Sequence, residues 1–183
     1  MLVNLIFDFM LLLGGLGGLI LGLRRGFLRT ILGTIALLLA MAFAALAATP
    51  LVGMFVQHSG SQAETPIGLV FAALLLVIYA LLETLLRRSF PDTRIRVLGS
   101  IDNALGAVIS PGWTLLAVAL AVLILVYVNF AVTGSPNVGP IGSWYSSSNL
   151  VLLLREFFDV PLYLMRFLFP AGLPQPLAFF AGV

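Results

Sequence analysis

Nine basic residues, seven acids and one histidine are the charged or chargeable groups that acid–base or metal chemistry would draw on first. Asp8 interrupts a long apolar run. An acid inside a membrane span is the usual currency of proton relays, and an interfacial carboxylate paired with Arg155 and Arg166 of the tail is the plainer alternative. Asp102 and Asn103 could help line a polar cleft, or could satisfy Arg94, Arg96 or a helix end. Glu83 precedes Arg87 by four residues, the spacing of an ion pair on one helix face. His58 stands alone among Ser and Gly, without the partners that a metal site needs. Cysteine is absent and every basic residue is arginine. Thiol catalysis, lysine Schiff bases, a Walker-type lysine and a Ser–Lys dyad are therefore excluded. No nucleophile–base pairing is visible. The inventory predicts no enzyme, no cofactor and no metal, and a net charge of +2 offers no footprint for nucleic acid.

The elements that position these groups are apolar. The 183 residues are 61% hydrophobic and 9% charged, against roughly 25% charged in soluble domains. The apolar residues come in long runs and do not alternate, which disfavours a transmembrane barrel. The expectation is an all-α polytopic membrane protein with four spans arranged as two helical hairpins. A span needs about 20 apolar residues. Candidates lie at about 2–23, 27–48, 67–86 and 112–132, forming a transmembrane domain over 1–132. Thr49-Pro50 reads as the stop of the second span and 50–66 as a loop. Thr65-Pro66 and Ser110-Pro111 read as helix starts, cap then proline in the first turn. Residues 96–109 form either a separate interfacial helix or an extension of the fourth span.

Residues 133–183 read as an extracytoplasmic loop and interfacial tail. Residues 133–149 are rich in Gly, Ser and Pro, the composition of a loop. Ser148 or Asn149 would cap a short helix, and Pro161 would separate it from a second one. Arg155, Asp159 and Arg166 share one side of that stretch with Phe and Leu elsewhere, as in a helix lying in the interface.

The turn between the first two spans organises the reading. Gly14, Gly18, Gly22 and Gly26 are four apart, and so are Ala36, Ala40, Ala44 and Ala48. Each set forms a narrow small-residue stripe, the device by which helices pack closely in lipid. The two stripes predict a glycine zipper between consecutive antiparallel helices. Arg24, Arg25, Arg29, Arg87, Arg88, Arg94 and Arg96 fall at two turns on one face. The positive-inside rule makes them cytoplasmic anchors and leaves both termini outside. LRRGF at 23–27 and LRRSF at 86–90 form a short internal echo, which reads either as two copies of a hairpin or, more plainly, as a shared positive-inside turn.

In order and spacing these features resemble the colicin V production protein family of bacterial inner-membrane proteins. The likeness runs through Asp8, the glycine-containing first span, Arg25-Gly26-Phe27 at the first turn and the basic residues after the third span. It continues with Arg96-Val97-Leu98-Gly99, then Gly106, where the family reads Asp-Arg-Leu-Gly and then glycine, and with the Ser-rich lead at 146–154. Ile95 stands where the family has its acid, and Asp102 falls later. The resemblance implies four spans and a role in export or envelope homeostasis. Two other functions are open from the residues: an accessory subunit of a larger photosynthetic or respiratory complex, with Phe157 and Phe158 as partner surface, and a small transporter or channel. The expected partners are the lipid bilayer and other membrane proteins or further copies of the chain.

Overall fold

The computed structural model describes residues 2–59, 64–90, 100–135, 137–174 and 176–178. They form six helices: α1 (Leu2–Arg25), α2 (Phe27–Ser59), α3 (Glu64–Ser89), α4 (Ser100–Thr133), α5 (Gly139–Ser147) and α6 (Asn149–Leu168). No strand occurs among the described residues. Among the described residues, three segments are long and apolar enough to cross a membrane: Phe27–Met54 in α2, Ile67–Ser89 in α3 and Ala104–Phe130 in α4. That is one fewer than the four expected, the difference being α1, a helix of 24 residues.

Three prolines that read as boundaries lie inside helices. α2 continues through Pro50 to Ser59, α4 through Pro111 and α6 through Pro161. The physical reason is shared. Ending a helix leaves several backbone donors and acceptors without intrahelical partners, whereas a proline inside it removes one donor. Residues 100–109 are therefore the first turns of α4, and the stretch at 50–59 is helix, with His58 on its last turn. The supposed loop before Ser148 contains α5, whose start carries proline in the first turn and Gly139 at φ 82°. Ser148 does cap α6, accepting from the Val151 N–H at 3.4 Å. Asn129, on the last turns of α4, donates to the Val138 carbonyl at 3.0 Å and holds the approach to α5.

The two small-residue stripes do not meet each other. α1 packs chiefly on α4, and α2 packs on α3 and α4. The expected zipper between consecutive helices is thus replaced by a nested arrangement with α4 in the middle. Gly14, Gly18 and Gly26 face α4: Gly14 lies by Val118, Gly18 against Thr114 and Gly26 by Asp102. Gly106 of α4 returns the contact, a Cβ there lying 2.7 Å from the Gly26 carbonyl carbon. The side of Gly22 lies outside the described residues. Ala36, Ala40, Ala44 and Ala48 are buried in the core with Phe71 of α3 and Leu120 and Val126 of α4. Gly68 of α3 meets the Tyr127 ring.

These approaches set graded expectations for substitution. Gly106→Ala drives a methyl into backbone and lowers stability by about 1–3 kcal/mol, the cost of overpacking. Gly18→Ala does the same against Thr114. Gly17→Ala enters open space and raises stability by up to ~1 kcal/mol through helix propensity. Unfolding in mixed detergent micelles ranks the three, and equal stabilities would mean that α1 and α4 are not in contact.

Candidate functional site

Two polar clusters lie at opposite ends of α1. The first sits where α1 turns into α2. Gly26, at φ 79°, makes the turn in a single residue. Asp102 lies in the first turn of α4 and is 2% exposed. Its Oδ1 accepts from the Phe27 N–H at 3.3 Å, the first residue of α2. One carboxylate therefore faces the positive ends of two helix dipoles, a sufficient reason for a buried acid. Oδ2 has no hydrogen-bond partner among the described residues and lies 2.5 Å from where a Gly26 Cβ would be. The acid and glycine that serve this turn are Asp102 and Gly106, with Leu105 before the glycine. Arg94 and Arg96 lie outside the described residues, as do the side chains of Arg24, Arg25 and Asn103.

At the same end, Glu83 accepts from two arginines. Arg87 lies 3.2 Å away on α3, as its spacing predicts, and Arg29 of α2 lies 3.4 Å away. The carboxylate thus ties α2 to α3, a cross-helix role that spacing along one helix could not reveal. Arg88 is exposed.

The second cluster joins α1 to the tail helices. Asp8 Oδ1 accepts from Trp144 Nε1 at 2.9 Å and from the Ser148 hydroxyl at 2.6 Å. Trp144 is 1% exposed and Ser148 is buried, while Asp8 is half-buried. Trp144 belongs to α5, and Ser148 caps α6. One carboxylate oxygen therefore fixes both helices against α1. Its described partners are this Trp–Ser pair, and the side chain of Arg155, one of the two tail arginines expected to pair with it, lies outside the described residues. The residue missed from the sequence is Trp144. Its signal was an indole N–H that needs an acceptor wherever it is buried, set in a stretch that reads as loop. Between the clusters, the Ser110 hydroxyl donates to the Gly18 carbonyl at 2.7 Å, so the serine that reads as a helix cap is a cross-helix clasp.

The proposed partner surface needs correction. Phe158 is 1% exposed and packs in the chain's own core with Trp144, Val151 and Met165. The Phe157 side chain lies outside the described residues. What α6 presents outward is Leu153, Val160, Leu164 and Phe167, the last 89% exposed, beside exposed Glu156, Asp159 and Arg166. The apolar and polar rows run along adjacent faces of the helix.

Asp8→Ala strands the Trp144 N–H and the Ser148 hydroxyl. A cost of about 1–3 kcal/mol is expected for buried donors left unpaired, read as earlier proteolysis of α5–α6 and a red shift of tryptophan emission. Asp102→Ala removes the N-terminal acceptor of α2 and costs about 1–2 kcal/mol, the size of a helix cap. Thermal unfolding in detergent measures it, and Asp102→Asn, which keeps an acceptor oxygen, loses less.

Comparison with curated proteins and with solved structures returned no significant match. The family model described as Colicin V production protein matches residues 7–157. That span takes in most of α1, all of α2 to α5, both polar clusters and the first turns of α6. The chain belongs to the colicin V production protein family.

Proposed function

We propose that this protein is a non-catalytic integral membrane protein that supports export or envelope homeostasis. The observation that carries the reading is how its buried polar groups are used. Asp8, Asp102, Glu83, Ser110 and Asn129 each hold one helix or loop to another. The large outward side chains along α1, α2 and α3 are mostly aliphatic, including Leu12, Leu16, Leu46, Leu76 and Leu81. That division suits a scaffold embedded in lipid.

In this reading α1 is the first of four spans in the bacterial inner membrane. Its 24 residues reach roughly 36 Å, beyond the ~30 Å hydrocarbon core. The Asp8 and Gly26 clusters stand roughly 27 Å apart along it, so each would meet one interface. The arginine-bearing ends of α1 and α3 then face the cytoplasm, and both termini with α5 and α6 lie outside. Deleting the gene in its host and supplying the wild type or Asp8→Ala tests the role. Loss of peptide-toxin export or of resistance to envelope-disrupting detergent, restored by the wild type and only weakly by Asp8→Ala, is the expected result. Unchanged export and envelope integrity after deletion would sink the reading.

A second reading has its own support. Half of the α2 and α4 span windows is buried, against 11% for α3. A span so little covered by its own chain suits an accessory subunit of a larger membrane complex. Native electrophoresis after mild extraction separates the two: migration far above 19.6 kDa plus micelle, with fixed partners, favours the subunit.

A further inference from the structure

We propose that the groove between α1, α4 and α6 holds one acyl chain of an amine-bearing phospholipid, with the headgroup beside Asp8. The groove has a volume of about 230 Å³ and is walled by Leu11, Leu12, Gly15, Leu115, Val118 and Leu153. A dry cavity of about 150 Å³ already accommodates a benzene ring, so the space is large enough for a run of methylenes. Its walls offer aliphatic carbon and almost no polar surface, so water in it would lack partners. Gly15 forms part of the floor, and a Cβ there would meet no heavy atom within 4 Å. The rim residues Leu12, Leu16 and Leu153 are exposed, so the groove continues the outward aliphatic face of α1. In a bilayer the fluid at that face is acyl chain.

The headgroup follows from what closes the groove. Leu11, Leu12 and Gly15 come three, four and seven residues after Asp8, which places the carboxylate and the groove on one face of α1. Ser148 likewise leads into Leu150, Leu153 and Leu154 of α6, which complete the wall. Both hydrogen bonds from Trp144 and Ser148 fall on Oδ1, and Asp8 is only half-buried. Asp8 is not part of the groove lining, and its carboxylate therefore offers negative charge about one helical turn beyond Leu11 and Leu12. An ammonium headgroup complements that charge, and a phosphoglycerol headgroup is repelled by it.

The proposal rests on α1 lying in the bilayer, and the test separates the two. Protein reconstituted in nanodiscs of equimolar phosphatidylethanolamine and phosphatidylglycerol is released and weighed by native mass spectrometry. The wild type retains one lipid, with the ethanolamine form favoured roughly fivefold, the size of one exposed charge pair. Gly15→Leu fills the groove and loses the retained lipid, and Val118→Phe does so from the α4 side should the first variant misfold. Asp8→Asn keeps an oxygen acceptor, retains a lipid and loses the headgroup preference. Retention by both groove-filling variants at the wild-type level overturns the acyl site. Equal retention of the two headgroups by the wild type overturns the role of Asp8. Leu13→Cys, in a chain without cysteine, reports on α1 itself. Labelling of that thiol by a membrane-impermeant maleimide means that α1 is outside the bilayer and removes both proposals. A protected thiol with lipid retention unchanged in the groove variants removes the lipid site alone.

Discussion

Everything in this molecule depends on how closely α1 and α4 approach. The contact runs antiparallel through Gly26 with Gly106, Gly18 with Thr114 and Gly14 with Val118. At Gly106 the approach is backbone to backbone, and it leaves no room for a Cβ. In water such glycines would weaken a helix. In lipid the alternative to close packing is acyl chain against leucine, which gains little, so small residues that admit a neighbour's backbone are favoured. The Ser110 hydroxyl on the Gly18 carbonyl adds a directional bond at the same seam. With α1 held there, α4 keeps its other sides for α2, α3, α5 and α6.

How much of this was legible depended on the distance over which the signal acted. Local signals held: the helical runs, the Glu83–Arg87 spacing and the Ser148 cap all correspond to structure. Prolines misled, because the rule that they end helices is calibrated where water can satisfy the freed backbone. Pro50, Pro111 and Pro161 all lie inside helices. The partners of the stripes were not legible. A stripe says that something comes close and does not say what, and the adjacent helix was the natural guess. The chain instead matches α1 with an element three helices later.

The candidate site shows the same division. Asp8 and Asp102 stood out because acids are rare in such a chain. Their partners lie 136 residues away at Trp144 and 75 away at Phe27, separations at which spacing carries no information. Phe158 was misjudged because two adjacent aromatics on an amphipathic helix look alike in sequence, while the helix turns Phe158 into the core. The family's acid position is Ile95 in this chain, and it is the later Asp102, with Gly106, that meets the Gly26 turn.

The Ser110–Gly18 bond has a consequence for biogenesis. Its two residues are 92 apart in the chain. At ribosomal rates of roughly 5–20 residues per second, α1 is made about 5–20 s before its partner surface exists. During that interval its glycine face has no α4 to close against. The first helix made must wait for the fourth, and α4 is the closing piece that ends the wait.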